Sequence, residues 1–203
     1  MNETRRQLDQ FKNRIHQPMY DTAEFNSTMN EVNFFSVPRG QPFNITGVQK
    51  TIRHTNHTQA NQMPAENRMI VQTVQVGLSS ERVPELLADP MAIYERLFNN
   101  SVLSIICQDK TFLRVPTKLL CLGGGPHYQF APGNLDAYSM VSNGFPFARA
   151  IWTLSMPIIL EPKAQFSVSL NTADEGEMPW EDDGEAIVRL LCVLDGTLER
   201  NVN

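Results

Sequence analysis

The feature that most constrains the fold of this chain is a phrase at residues 157–172, PIILEPKAQFSVSLNT. In its second half, Phe166, Val168 and Leu170 alternate with polar side chains. Because successive side chains of a β-strand point to opposite faces of a sheet, this period of two predicts a half-buried strand. The apolar run 158–160 precedes that strand across a short polar joint. Strand pairs of this kind are typical of an all-β sandwich.

Strand-like patterns recur along the whole chain after residue 30. Eight such segments lie at residues 32–37, 42–51, 68–78, 102–108, 111–115, 150–160 (broken near Pro157), 166–170 and 186–194. We expect Val188, Leu190 and Cys192 of the last segment to face Phe166 and its neighbours across the core. Asp109-Lys110 has the spacing of a two-residue hairpin turn between the fourth and fifth segments.

One segment, residues 79–100, is helical in pattern. Asp89 can cap its N-terminus and Pro90 can occupy its first turn. Strands and helices do not alternate, which disfavours a parallel α/β sheet. We therefore predict an all-β fold, an eight-stranded antiparallel jelly-roll sandwich with one inserted helix. An up-and-down barrel is the alternative, and long irregular connections such as residues 119–144 disfavour it.

The first 30 residues differ from the rest of the chain. Leu8, Phe11 and Ile15 are spaced three and four apart, which suits a short amphipathic helix. The residues that follow are polar and aperiodic. We expect residues 1–30 to be an extended N-terminal arm or short amphipathic helix, either loosely packed or reaching a neighbouring subunit. Residues 31–203 then form a single jelly-roll domain.

Composition narrows the class of protein. The net charge of the 203 residues is −5, whereas nucleic-acid-coating proteins are usually basic, so we expect no specific nucleic-acid partner. Cys107, Cys121 and Cys192 lie in apolar runs, which predicts reduced core residues in a protein made in a cytosol. The N-terminus lacks the apolar region of a signal peptide. No run approaches the roughly 20 apolar residues of a transmembrane helix.

Two histidines, His54 and His57, are the obvious candidates for a metal site. A jelly-roll metalloenzyme of the cupin type would use His-x-His followed closely by a Glu, but here the spacing is His-x-x-His and the next acid is Glu66. His127 is the other plausible partner. The surrounding sequence is polar, so we expect solvated loop histidines and no bound metal.

The remaining candidate sites are two loops. Residues 123–126, GGGP, lack the Gly-Lys-Ser/Thr of a phosphate-binding loop, so we expect a flexible turn. The acidic residues 174–185 lack the spacing of an EF-hand. A looser Ca²⁺ site at Asp182, Asp183 and Glu185, a contact with a basic partner and a solvated loop stay open, and we favour the solvated loop. Gly-x-Ser-x-Gly is absent and the cysteines sit in apolar surroundings, so we predict no catalytic residues.

Several phrases together carry a family resemblance. They are NFFSVPRGQPF, HTNHTQANQMPAENRMIVQTVQV, SIICQDKTFLRVP, PIILEPKAQFSVSLNT and AIVRLLCVLDGTLERNV. In style and order they resemble the small single-jelly-roll structural proteins of bacterial viruses with tailless, jelly-roll capsids. The resemblance implies a capsid, vertex or cement subunit without catalytic residues or cofactors. It also implies an arm that clamps neighbours, partners that are copies of the chain or other virion proteins, and a virion location after synthesis in the host cytoplasm.

Two other functions remain open at the level of sequence. Aromatic residues in long loops would suit a carbohydrate- or receptor-binding β-sandwich module; they are Tyr128, Phe130, Tyr138, Phe145, Phe147 and Trp180. The other is a cupin-like metalloenzyme built on the histidines.

Overall fold

The computed structural model describes residues 13–26, 28–79, 97–124, 127–131, 134–142, 151–172 and 187–200. These residues contain eleven strands: β1 (Asn13–His16), β2 (Met19–Phe25), β3 (Glu31–Phe34), β4 (Asn67–Leu78), β5 (Ser101–Cys107), β6 (Lys110–Pro116), β7 (His127–Ala131), β8 (Asn134–Ser142), β9 (Thr153–Leu160), β10 (Phe166–Thr172) and β11 (Val188–Arg200). The predicted all-β class is confirmed.

The strands form two main antiparallel sheets. In the five-stranded sheet, β11 is flanked by β4 on one side and by both β1 and β2 on the other, and β9 follows β4. The four-stranded sheet has the order β3–β10–β5–β6. Strands β7 and β8 pair as a separate hairpin. The chain passes directly from one main sheet to the other at five connections, namely β2–β3, β3–β4, β4–β5, β9–β10 and β10–β11, so neighbours in a sheet are mostly distant in sequence.

The core lies between the two sheets, as the alternating phrase predicts. Phe166, Val168 and Leu170 on β10 are at most 3% exposed. They belong to one hydrophobic cluster with three buried residues of the other sheet, Val188, Leu190 and Cys192. The predicted inward face of β10 is therefore confirmed, because a period of two leaves a strand only one apolar face to bury.

A bulge interrupts β11 where it pairs with β4. The register shifts between Asp195 and Gly196. A Cβ atom at residue 196 would lie 2.0 Å from the carbonyl oxygen of Ile70, so the two backbones approach closely enough to require glycine. The bulge lets β11 continue to Arg200, six residues beyond the predicted end of the strand.

Several strands and turns of the structure have boundaries that differ from those predicted from the sequence. Residues 42–51 form turns joined by a single Pro42–Gln49 bridge rather than a strand, and Gly47 within them has a φ of 69°. The segment predicted as broken near Pro157 is one strand, β9, because an edge strand tolerates proline. The β5–β6 hairpin is confirmed, with its two-residue turn at Gln108-Asp109, one residue earlier than predicted.

The stretch predicted to be irregular, residues 119–144, is more regular than expected. It contains part of a short 3₁₀ helix at Thr117–Leu120, a second at Leu122–Gly124, and the β7–β8 hairpin. Of the predicted helix at 79–100, residues 97–99 are helical. Residues 80–96, with the proposed cap at Asp89 and Pro90, lie outside the described part of the chain.

The predicted N-terminal arm or helix is wrong over residues 13–25. Strand β2 pairs with β11 along seven residues, and β1 pairs with the end of the same strand. The alternate side chains of β2 are buried in the core, and they include Met19, Ala23 and Phe25. These residues are therefore not part of an arm. The boundary expected at residue 30 therefore does not separate an arm from the sandwich. Residues 1–12, including Leu8 and Phe11, lie outside the described residues.

The cysteines fit the prediction of reduced core residues in part. Cys107 and Cys192 are buried free thiols, and burial raises the pKa of both. Cys121 is only half-buried, and its thiol lies 3.3 Å from the carbonyl oxygen of Lys118.

Candidate functional site

The two histidines expected to be solvated are both buried. His54 is 6% exposed and His57 is 4% exposed. His54 accepts a hydrogen bond from the amide of Thr51 and packs edge-on against the ring of Phe43. The prediction of solvated loop histidines is wrong because their loop folds back onto β2 instead of standing in solvent.

The ring of His57 sits among aromatic side chains. It makes edge contacts with Phe35 and Phe166, at centroid distances of 5.5 and 5.6 Å. Its Nε2 is buried without a hydrogen-bond partner. Burial, with a smaller contribution from the positive charge of Lys50, lowers its pKa to about 4, so the imidazole is neutral at pH 7. No group of three or more metal-ligating side chains occurs in the part of the chain that the structure describes.

A buried ion pair lies beside these histidines. The Nζ of Lys50 is 2.8 Å from Oδ1 of Asp21, and the side chains are 2% and 0% exposed. The other oxygen of Asp21, Oδ2, accepts a hydrogen bond of 2.7 Å from the amide of Phe35. Burial raises the pKa of Asp21, whereas Lys50 acts in the opposite direction. Each charge therefore depends on the other, because neither can reach water.

The ion pair fastens a loop along the outer edge of β2. The amide of Thr22 donates to the carbonyl of His54 at 2.8 Å. The side chain of Asn56 accepts from the amide of Tyr20 and donates to the carbonyl of Pro18. An isolated bridge joins Asp21 to Thr55. These bonds supply the partners that a further strand would give, so this edge of the sheet is closed. We call β2 with residues 51–56 the closed edge.

A second buried carboxylate holds the neighbouring part of the loop. Glu24 accepts hydrogen bonds from the amide and hydroxyl of Thr46, at 2.9 and 2.6 Å. Its Oε1 also lies 3.1 Å from the guanidinium of Arg189 on β11. The guanidinium stacks over the ring of Phe43, 4.7 Å from the centroid. These contacts are structural: they tie loop residues 43–46 to both β2 and β11.

Sequence reasoning missed Asp21, Glu24 and Lys50 altogether. The available signal was the alternation of Met19, Ala23 and Phe25, which places Asp21 at a core position of a strand. An acid at such a position requires a buried cation, and Lys50 lies 29 residues away.

The opposite edge of the five-stranded sheet is β9, and it is very different. It pairs with β4 on one side, and no strand follows it on the other among the described residues. Its sequence, TLSMPIIL, contains no charged residue. Of the eight large apolar side chains that the described residues leave exposed, four lie here: Ile151, Trp152, Met156 and Ile159. We call residues 151–160 the β9 edge.

Edges of the main sheets elsewhere carry exposed charge. Strand β1 exposes Arg14, β3 exposes Glu31, and β6 exposes Lys110 and Arg114. Charged edge residues and proline are the usual means by which sheets avoid pairing with other chains. The β9 edge has Pro157 and a register shift, but no charge. It is therefore the edge of these two sheets best suited to contact another protein.

Other candidates named from the sequence lie partly or wholly outside the described residues. The acidic residues 174–185, with Trp180, and the aromatic residues Phe145 and Phe147 lie outside the described residues. The side chains of His127, Tyr128, Phe130 and Tyr138 also lie outside the described part. Gly123 has a φ of 65°, a left-handed conformation that suits the predicted turn, and residues 125–126 are not described. Within the described residues, no helix is long and apolar enough to cross a membrane.

Comparison with known proteins adds no relative to this picture. No protein-family model matches the chain, and no curated protein matches it.

Proposed function

We propose that this protein is a structural subunit of a virus particle, a capsid, vertex or cement protein of the bacterial-virus type, that assembles through its β9 edge. The observation that carries the proposal is that the β9 edge is uncharged and apolar, whereas the other described edges of the two sheets are covered by a loop or expose charge. Exposed apolar surface of this kind marks contact sites on soluble proteins. We propose no catalytic role for the chain.

The order of strands supports the proposed jelly-roll type. Leaving aside β1 and the β7–β8 hairpin, the two sheets read β2–β11–β4–β9 and β3–β10–β5–β6. Successive strands alternate between the sheets, apart from the β5–β6 hairpin. A jelly roll is built from two Greek keys, and this order of strands is in keeping with that proposal.

The occupant that we propose for the β9 edge is a second copy of the same chain. Its outer backbone groups face no strand among the described residues, so a strand of another subunit can supply partners. Met156, 80% exposed, and Ile159, 37% exposed, then become buried. The contact needs no charge pairing, in keeping with the low charge of the chain. When such a contact joins the β9 edge to a different surface of the next copy, it can be repeated from subunit to subunit and builds rings or lattices.

Light scattering after size-exclusion chromatography tests this proposal with Met156→Lys. A lysine at the most exposed position of the β9 edge should leave the monomer folded, because the side chain it replaces contacts little. We expect the wild-type protein to form oligomers and Met156→Lys to be monomeric. Ile52→Lys is the matched control, since Ile52 is 53% exposed on a loop, and it should associate like the wild type.

Electron microscopy of the wild-type assemblies separates the contact from the virion role. Rings or regular lattices that disappear in Met156→Lys support both. A simple dimer, or irregular aggregates, would contradict the virion role. A wild-type protein that stays monomeric at high concentration would contradict assembly through this edge.

A further inference from the structure

A groove of about 720 Å³ lies where three chain turns meet. Its walls come from the β5–β6 turn, the β9–β10 turn and loop residues 60–62. Its volume falls in the range of roughly 300–1,000 Å³ that is usual for ligand pockets. Asp109 and Lys163, the two charged side chains of the lining, have opposite signs. Four more lining residues are carboxamides: Asn61, Gln62, Gln108 and Gln165.

Hydrogen bonds hold the three segments of this groove in place. The amide of Phe166 donates to the carbonyl of Asn61 at 2.9 Å, and the amide of Gln108 donates to the carbonyl of Gln165 at 3.1 Å. The side chain of Gln62 donates to the carbonyl of Lys163 at 3.1 Å. Since each bond joins different segments, the lining is pre-organised, and a ligand would not have to order it.

The backbone of the groove is unusual. Five non-glycine residues among those described have a positive φ, and four of them line this groove: Asn61, Gln108, Asp109 and Lys163. Both residues of the β5–β6 turn are left-handed, with φ of 48° and 64°, a turn type that favours Asn-Gly. Glutamine and lysine are unfavourable in this conformation relative to glycine. Side chains kept in such conformations concentrate at functional sites.

We propose that this groove binds a neutral, polyhydroxylated ligand of the oligosaccharide class. Each carboxamide presents both a donor and an acceptor, which matches a hydroxyl group that donates and accepts. A phosphate or nucleic acid would require several cations, whereas the lining contains one lysine, Lys163, and one carboxylate, Asp109. Because the groove is polar and carries no exposed aromatic platform among its lining residues, the expected Kd is on the order of 1 mM. This binding goes beyond assembly and does not depend on it.

Saturation-transfer NMR with the full chain tests the proposal. The probes are neutral oligosaccharides (maltotriose, cellotriose, lactose and triacetylchitotriose) followed by a neutral glycan array, with inorganic phosphate as the anionic probe. Two variants remove exposed carboxamides, Gln165→Ala and Gln108→Gly. The second also removes the backbone strain of a glutamine in a left-handed conformation. Ile52→Lys is the control, since Ile52 is exposed and belongs neither to the groove nor to the β9 edge.

We expect at least one neutral glycan to bind the wild type and Ile52→Lys equally, and to bind each groove variant at least about tenfold more weakly. Gln108→Gly should at the same time raise Tm by about 2 °C, because glycine accepts the left-handed turn. Gain of stability with loss of binding separates a recognition role from a merely structural one. No binding of any neutral glycan, preferential binding of phosphate, or binding that survives in either groove variant would overturn the proposal.

Discussion

The two edges of the five-stranded sheet use opposite chemistry. At the closed edge, β2 carries buried Asp21 and Glu24, and loop residues 51–56 take up its outer hydrogen-bonding groups. At the β9 edge, eight consecutive residues carry no charge, and Met156 stands 80% exposed. Buried polar groups and a loop satisfy the outer hydrogen-bonding groups of the closed edge, whereas the β9 edge exposes apolar side chains. This difference supports our proposal that the β9 edge contacts another subunit.

The contrast also separates stability from assembly. Buried charges at the closed edge are expensive to expose or unpair, so changes there should unfold the protein without a direct effect on association. The exposed side chains of the β9 edge, Met156 above all, make few internal contacts, so changes to them should alter association and leave stability nearly unchanged. The predictions that follow run from the largest expected loss of stability to the smallest.

Removal of the buried cation should have the largest effect. Lys50→Met leaves the carboxylate of Asp21 buried without its partner, which should cost about 3–5 kcal/mol of unfolding free energy. Urea unfolding followed by circular dichroism measures this loss. Lys118→Met, at an exposed lysine, is the control and should change stability by less than about 0.5 kcal/mol. Equal effects of the two variants would show that the ion pair does not stabilise the closed edge.

The core that both edges share provides the second comparison. Phe166→Ala removes a ring that is 3% exposed and contacts Phe35, so we expect a loss of about 3–5 kcal/mol. Ser167→Ala, on the opposite face of β10, should be nearly silent. Thermal denaturation of the two variants decides the matter, and similar melting temperatures would mean that the facing of β10 is wrong.

The buried imidazole of His57, which follows the closed edge in the chain, makes the stability of the fold sensitive to acid. The pKa of His57 is about 4 in the folded state against 6.5 in its ordinary state, so the unfolded chain binds more protons between these values. Its contribution to stability is complete above pH 6.5 and is lost as the pH falls towards 4, by about 3 kcal/mol in total. The difference in unfolding free energy between pH 7 and pH 4 should be smaller in His57→Phe than in the wild type by this amount. Ser167→Ala, which removes no titratable group, is the control and should keep the wild-type slope. A wild-type slope in His57→Phe would count against the assignment.

A smaller effect is expected where the loop meets β2. Asn56→Ala removes two hydrogen bonds, those with Tyr20 and Pro18, and should cost about 1–2 kcal/mol. Native-state hydrogen exchange should also show faster exchange of the Tyr20 amide. If the Tyr20 amide exchanges at the wild-type rate in Asn56→Ala, the loop does not close this edge in the way described.

The sequence predicted the core residues correctly where a strand buries only one of its two faces. Phe166, Val168 and Leu170 alternate without interruption, so local pattern alone located the core face of β10. It failed for β2 because Asp21 interrupts the apolar alternation of Met19, Ala23 and Phe25. The burial of Asp21 and Glu24 depends on Lys50 and Arg189, which are distant in sequence, and only the tertiary fold supplies these partners. His54 and His57 were misassigned for the same reason.

The β9 edge shows a different limit. Its apolar residues were recognised as a strand broken at Pro157, but whether a strand is central or at an edge depends on the order of strands in the sheet. That order joins β9 to β4, about 80 residues earlier in the chain. The groove lined by Gln108 and Gln165 likewise forms where separate turns meet in the fold, so no local sequence pattern predicts it.

Hydrogen exchange at increasing protein concentration tests the role of the β9 edge most directly. Amides of residues 153–160 should become more protected as concentration rises, while those of β6, the charged edge of the other sheet, should exchange at a constant rate. In Met156→Lys, the concentration dependence at β9 should disappear. Exchange at β9 that is the same at every concentration, or protection that develops at β6 instead, would contradict assembly through the β9 edge.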